Sequence, residues 1–278
     1  MADFVPPAWM SEWKAQMRPS PLTTGQRELF PLTLSGILPD CPLGQHLELV
    51  GNVGSDRYYC KRDSNGTPIR ATEWFYTSLA GHLNIPVPDF APIQNPINNE
   101  ILFGSKHQWN TADQVAVSTF LTTPQISDPV IGSNSAWLRA YLARLYVFDI
   151  FIANPDRQFV NFLLVPAGGG RRLLAFDFAS ADLKTLSSRN FQVADTQTLL
   201  VGRRLRRLHG GFDLQSAYEM LDWIAGLSAS WVENTIESMP NGWLDEVEKG
   251  RICDQWSNGG TNDRIAALRS GLRDESLL

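Results

Sequence analysis

The sequence predicts an α+β chain of two lobes, a β-rich N-terminal lobe followed by a mainly helical C-terminal lobe. Three observations carry this. Between Phe30 and Leu121, short β-prone runs alternate with Gly, Pro and Asn turns and are interrupted by a single helical period. Beyond Ser135 apolar residues recur mostly at three- and four-residue spacing. Within that second half, IANPDRQFVNFLLVPAGGGRRLLAFDFASA (152–181) sets Asp156, Asn161 and Asp177 between short apolar segments.

Composition bounds the reading. A chain of 278 residues with 43% hydrophobic content is long enough for two lobes of about 100–150 residues each. A net charge of -5 argues against a protein that coats nucleic acid, which needs a basic face. Cys41, Cys60 and Cys253 are odd in number and show no CxxC spacing, which disfavours a disulfide framework or a zinc site and points to a reducing, cytoplasmic location. The opening MADFVPPAWMSEWKAQM has acidic residues and prolines where a signal peptide would have a basic start and an apolar run. Arg139, Arg144 and Asp149 interrupt the apolar stretch Trp137–Ala153, so no membrane span is expected.

Taken in order, residues 1–30 read as an N-terminal arm with one short helix near Trp9–Gln16. The N-lobe is placed at 31–122. LTLSGIL, HLELVGNV and RYYCKRD form an expected antiparallel meander, with Tyr59 and Lys61 on one face and Tyr58, Cys60 and Arg62 on the other. ATEWFYTSLAGHLNIPVP has helical spacing through Trp74, Phe75, Leu79 and Leu83 and stops at Pro86 and Pro88. This puts Glu73 in the first turn, where the helix dipole favours an acid by about 0.3–1 kcal/mol. DFAPIQ, EILFGS and QVAVSTFL read as further strands.

The polar, proline-containing TTPQISDPVIGSNS (122–135) marks the lobe boundary, and the C-lobe is placed at 123–278. Trp137–Ala153 is apolar on nearly every side, so it is a buried helix in which Asp149 is a satisfied core carboxylate. Asn154-Pro155 ends it. VNFLLV and RLLAFDF are two strands joined by Pro166 to Gly170, whose glycines serve the hairpin. RRLRRLHGG is a solvated basic helix end. DLQSAYEMLDWIAGL is capped by Asp213 and turns Ala217, Met220, Leu221 and Ile224 inward. SASWVENTIESM, PNGWLDEVEKG and NDRIAALRSGL supply the last helices.

An Asp followed five residues later by Asn, then by an apolar hairpin ending in a second Asp, is the arrangement that phosphoryl transfer needs around its metal ions. If the two strands pair, Asn161 and Asp177 converge as oxygen ligands of the kind Mg²⁺ prefers. Asp156 then stands on a loop with its carboxylate free to orient an acceptor hydroxyl and take its proton. Lys61 and Glu73, twelve residues apart, are either ordinary surface charges or a pair that holds the ammonium towards nucleotide phosphates.

FDIFIANPDRQFVNFLLV followed by LLAFDF resembles the catalytic and metal-binding segments of HipA-like kinases, and the core from Asp156-Arg157 to Asn161 is similar to that of phosphatidylinositol 3/4-kinases. YYCKRD and ATEWFYTSLAGHLNIPVP resemble the nucleotide-lysine strand and following helix of the HipA-like group, so the likeness runs from about Leu32 to the carboxyl terminus. The resemblance implies a two-lobed protein-kinase-like fold and ATP with Mg²⁺ as cofactors. Asp156 is then the catalytic base, Asn161 and Asp177 the metal ligands, Lys61 the phosphate contact and Glu73 its partner. It also implies a protein substrate with a Ser or Thr acceptor, and an antitoxin partner. No GxGxxG loop is present; PDCPLGQ, with Leu43, Gly44 and Gln45, stands in its place. Asn154-Pro155 replaces the His-Arg of ordinary protein kinases, and Ala179 stands where their Asp-Phe-Gly has glycine. The competing readings are a nucleotide-binding pseudokinase or toxin–antitoxin interaction module, and a kinase of a small molecule or lipid. Nucleic-acid binding through Arg203–Arg207 is the third.

Overall fold

One six-residue stretch, 32–37, supplies both edges of the principal sheet. In the computed structural model, which describes residues 30–39, 46–123, 135–167, 170–186, 196–257 and 259–278, β1 (Leu32–Thr33) and β2 (Gly36–Ile37) are joined by β3 (Leu47–Val53), β4 (Asp56–Lys61), β5 (Phe90–Gln94) and β6 (Ile101–Lys106) in the order β1-β5-β6-β4-β3-β2. β1 pairs parallel with β5, and every other pair is antiparallel. The expected meander is therefore β2-β3-β4, but LTLSGIL divides between the two edges. The Leu34 N–H donates to Gln94 O at 3.2 Å and the Ser35 N–H to Asn52 O at 2.8 Å. The sheet consequently curls almost into a barrel, with Leu34, Leu49, Tyr58, Cys60, Ile93 and Leu102 packed inside. Gly51 permits the closure: a Cβ there would lie 2.8 Å from the Gly36 carbonyl oxygen.

Alternation along β4 sends Tyr58 and Cys60 into this interior and leaves Lys61 on the opposite face. There it meets α1 (Ile69–His82), eleven of whose fourteen residues are buried, because the helix is covered on both sides. Trp74 Nε1–H donates to Ser238 Oγ at 3.1 Å, the Tyr76 hydroxyl donates to the Asp182 carbonyl, and Phe75 packs against Trp256 with centroids 5.5 Å apart. The helix begins at Ile69, earlier than its apolar period suggests. Glu73 is thus in the second turn and not the first, and the dipole does not account for it.

QVAVSTFL is a helix, α2 (Gln114–Thr122), and not a strand. Its β-branched residues favour extension, but the Asp113 side chain caps it by accepting from Ala116 N–H at 2.7 Å. Val117 and Leu121, four apart, are its buried face. The buried helix expected over Trp137–Ala153 is α3 (Ser135–Phe151). Its end is made by two backbone bonds, Asn154 N–H to Asp149 O at 2.8 Å and Ala153 N–H to Ile150 O at 3.1 Å, with Ala153 at φ 54°. That is a left-handed helix terminus, and Pro155 only follows it. β7 (Phe162–Ala167) and β8 (Gly170–Ala175) pair antiparallel, Phe162 opposite Ala175. Then come α4 (Gln197–Leu208), α5 (Leu214–Ala225), α6 (Ala229–Glu237), α7 (Glu246–Ser257) and α8 (Asn262–Arg273). Asp213 caps α5 as expected, accepting from Ser216 N–H at 3.0 Å, and Ala217, Met220, Leu221 and Ile224 are buried.

The arm expected over 1–30, apart from Phe30, the turn holding Leu43, Gly44 and Gln45, the centre of the 122–135 linker and the turn glycines Gly168 and Gly169 lie outside the described residues. Among the described residues no helix is long and apolar enough to cross a membrane.

Candidate active site

The site is assembled by the end of β4, the second turn of α1, the loop between α3 and β7, and the residues after β8. Lys61 comes from the first of these. Its ammonium donates to Glu73 Oε1 and, at 2.6 Å, to Asp177 Oδ1. Lys61 and Glu73 expose only 8% and 2% of their surface, so neither is an ordinary surface charge. Burial alone would lower the Lys61 pKa, but the charges of Glu73 and Asp177 outweigh it and leave the ammonium above its ordinary value. Burial also holds the Glu73 carboxyl above the usual range, because the Lys61 charge offsets it only in part. Asp177 is raised by burial but lowered more by Lys61 and then Arg157, and ends below its ordinary value. Asp177 is thus firmly ionised, and Glu73 is the member of the trio nearest to taking up a proton.

The register of the hairpin brings Asn161 and Asp177 together. Phe162 faces Ala175, Phe176 N–H donates to Asn161 O at 3.2 Å, and Asn161 Nδ2–H donates to Asp177 Oδ2 at 3.3 Å. Asp177 has φ 65°, a left-handed conformation that costs a residue with a Cβ about 1–2 kcal/mol and that aspartate tolerates better than most. The other face of the Asn161 amide is engaged by the loop: Gln158 N–H donates to Asn161 Oδ1 at 2.7 Å.

Asp177 offers carboxylate oxygens, of which Oδ1 already accepts a cationic group, Lys61. Asn161 turns its Nδ2–H towards Asp177 and its Oδ1 towards Gln158 N–H, so it would serve a cation only through the second lone pair of Oδ1 or with its amide turned over. Among the described residues no cluster of three or more His, Cys, Asp or Glu could hold a metal ion. One carboxylate and one amide, without a full cage, is the donor set that suits Mg²⁺, which keeps waters and phosphate oxygens as its other ligands.

Asp156 lies on the loop after α3, but its carboxylate is not as free as the sequence suggests. Gln158 Nε2–H donates to Asp156 Oδ1 at 2.7 Å, and Asp156 N–H donates to Asn154 Oδ1 at 3.3 Å. One carboxylate oxygen is oriented by Gln158, and among the described residues the other has no hydrogen-bond partner.

The loop itself is fixed by an ion pair that the motif reading passes over. Arg157 is 3% exposed and Asp149 is fully buried. Arg157 grips both Asp149 oxygens at 2.8 Å and donates to Phe176 O at 2.5 Å, while Asn154 Nδ2–H donates to Asp149 Oδ1 at 2.9 Å. Burial would lower the Arg157 pKa, and the Asp149 charge more than reverses this. Asp149 is the satisfied core carboxylate expected from sequence; its partner was available as the arginine immediately after Asp156. Thr198, at the start of α4, completes the anchorage. Its hydroxyl donates to Asn154 O at 2.7 Å and accepts from Arg157 N–H at 3.0 Å. Only the fold places Thr198 there, 41 residues from Arg157.

No protein-family model matches the chain, and no curated protein matches it. Among solved structures it is similar to a Helicobacter pylori proinflammatory kinase, CtkA, at 12% identity and a TM-score of 0.54, over 87% of this chain and 97% of that one. WaaP in complex with acyl carrier protein also matches, at 14% identity over 87% of this chain and 88% of that one, with a TM-score of 0.36. The likeness to CtkA, set beside the curled sheet, the buried α1 and the helical second half, shows that this chain has the two-lobed kinase-type fold.

Proposed function

We propose that the protein is an ATP- and Mg²⁺-dependent phosphotransferase, a HipA-like serine/threonine protein kinase that moves the γ-phosphoryl group of ATP to a hydroxyl. The observation that carries the reading is the Lys61 ammonium bonded to both Glu73 and Asp177, since it joins a strand, a helix and the hairpin end in one cluster. Lys61, held by Glu73, contacts the phosphates of the nucleotide. Asp177 and Asn161 would hold Mg²⁺, which would neutralise charge on the phosphate oxygens. Asp156, with one oxygen fixed by Gln158, orients the acceptor hydroxyl with the other and accepts its proton. Leu43, Gly44 and Gln45, which lie outside the described residues, take the place of the phosphate-covering loop in the sequence. With lobes at 31–122 and 123–278, the cluster takes Lys61 and Glu73 from the first lobe and Asp177 from the second.

Transfer of radiolabel from ATP to itself or to proteins of a cell lysate tests the reading. Asp156→Ala is expected to lower it by about 10²–10⁴-fold, the range for a positioned general base. Undiminished transfer removes Asp156 from the mechanism. Stabilisation of the protein by ATP with Mg²⁺ but no transfer to any acceptor would replace the kinase reading with a nucleotide-binding module.

A further inference from the structure

The helix that anchors the catalytic loop also presents charge beside it. Thr198 fixes the first turn of α4 to the loop, its N–H donating to Pro155 O at 3.1 Å. Farther along, the Arg204 guanidinium lies over the Phe159 ring at 5.2 Å from its centroid. Phe159 follows Asp156 by three residues. Leu200, Arg203, Arg204 and Arg207 are spaced three and four apart and so form one stripe of the helix. On it Leu200 is 44% exposed, and Val160, on the loop, is 54% exposed. Arg204 and Arg207 are exposed as well, and among the described residues the contacts of their guanidinium groups are the Phe159 ring and the Arg203 carbonyl, not a carboxylate. Arg206, off the stripe, pairs with Glu275 at 3.2 Å.

Two exposed apolar side chains and two guanidinium groups without carboxylate partners among the described residues are therefore set beside the catalytic loop, in a protein whose net charge is -5. An acidic protein is repelled by polyanions in general, so a local basic stripe selects for short acidic segments over long nucleic acids.

We propose that the Leu200–Arg207 face of α4 is the docking surface for the acceptor, and that the acceptor is an acidic protein segment. This rests on Asp156 being the base that receives the hydroxyl. Arg204 and Arg207 pair with carboxylates or phosphates of the segment, and Val160 and Leu200 cover one of its apolar side chains. An extended chain advances about 3.3–3.6 Å per residue. On this proposal the acidic groups lie within about five residues of the acceptor serine or threonine.

The test uses the full chain and two fluorescent serine peptides, one with Glu and one with Lys at the third to fifth positions from the serine, on either side. The wild type is expected to phosphorylate and bind the Glu peptide with about fivefold to tenfold advantage, diminishing with salt. Arg204→Glu with Arg207→Glu is expected to reverse the preference towards the Lys peptide, whereas Arg204→Lys with Arg207→Lys retains it. Equal use of both peptides by a wild type whose transfer still requires Asp156 overturns the docking surface and leaves the kinase reading intact. If no peptide is phosphorylated, fluorescence anisotropy decides: reversal of binding by the charge swap sustains the surface, and its absence overturns it. Tighter binding of a labelled single-stranded oligonucleotide than of the Glu peptide, lost on the charge swap, also overturns it in favour of nucleic acid.

Discussion

Lys61 Nζ lies 2.6 Å from Asp177 Oδ1 while also bonded to Glu73, so residues 116 positions apart in the chain share one positive charge. Removing that charge tests the cluster. In Lys61→Met the two carboxylates face each other without compensation. Deleting one partner of a buried pair costs about 3–5 kcal/mol when the survivor remains charged. Glu73, whose pKa burial already raises, avoids part of this by protonating. A carboxyl whose folded pKa exceeds its unfolded value of about 4.3 loses stability as pH rises past that value. The deficit of Lys61→Met is accordingly expected to be small near pH 5 and about 3 kcal/mol at pH 8. Urea unfolding at both pH values measures it, and a deficit independent of pH would show that Glu73 does not titrate.

Asp149→Ala strands Arg157 in the core without the carboxylate it grips at 2.8 Å. The expected loss is about 3–5 kcal/mol. Because Arg157 and Thr198 fix the loop that carries Asp156, phosphotransfer is expected to fall as well, at temperatures where the variant remains folded. Circular dichroism melts with transfer assays below the transition separate the two effects. Full activity in a folded variant would mean that the loop needs no anchor.

Gly202→Ala opposes two effects. In an exposed helix interior the change gains about 1 kcal/mol from propensity. Here the new methyl group would overlap the Tyr146 ring, and Tyr146 is tied down by its hydroxyl donating to Leu277 O. Overpacking costs about 1–3 kcal/mol, so a net loss is expected in denaturant melts. A gain would show that the ring moves aside.

Cys60 and Cys253 are expected to differ in reactivity. Cys60 is completely buried, and burial pushes its thiol up to about 12, so almost no thiolate is present at pH 8. Cys253 is half-buried, and its thiol is raised by burial and then by Glu233. A short iodoacetamide pulse on the native protein, mapped by mass spectrometry, should label Cys253 well before Cys60, and labelling in urea should equalise them. Early modification of Cys60 would mean that the curled sheet opens.

Much of the candidate site was legible because its polar residues stand in apolar surroundings. Asp156, Asn161 and Asp177 stand out against FLLV and LLAF for that reason, and the pairing of β7 with β8 follows from two apolar runs and a glycine turn. The Lys61–Glu73 contact needed the resemblance as well, since twelve residues of separation do not by themselves imply proximity. What escaped were features set by tertiary packing. QVAVSTFL has strand propensity and a helical environment, and burial of Val117 and Leu121 decides the outcome. Thr198 has no local signal, because its role exists only once α4 lies on the loop, and Gln158, two residues from the Asp156 it holds, belongs to no motif that singles it out. The splitting of LTLSGIL depends on β5, some sixty residues downstream, as Leu32 pairs with Ile93.

That last pairing gives the first lobe an order of assembly. A ribosome releases β2, β3 and β4 as a hairpin set that can form at once, but β1 has no partner until Gln94 has emerged. Until then the interior holding Leu34 and Cys60 is open on one side, and the chain passes through synthesis with an unclosed seam. A stall or a nick between Lys61 and Phe90 would therefore leave a fragment that is structured and yet adhesive, and its edge would be open to pairing with a strand from another molecule.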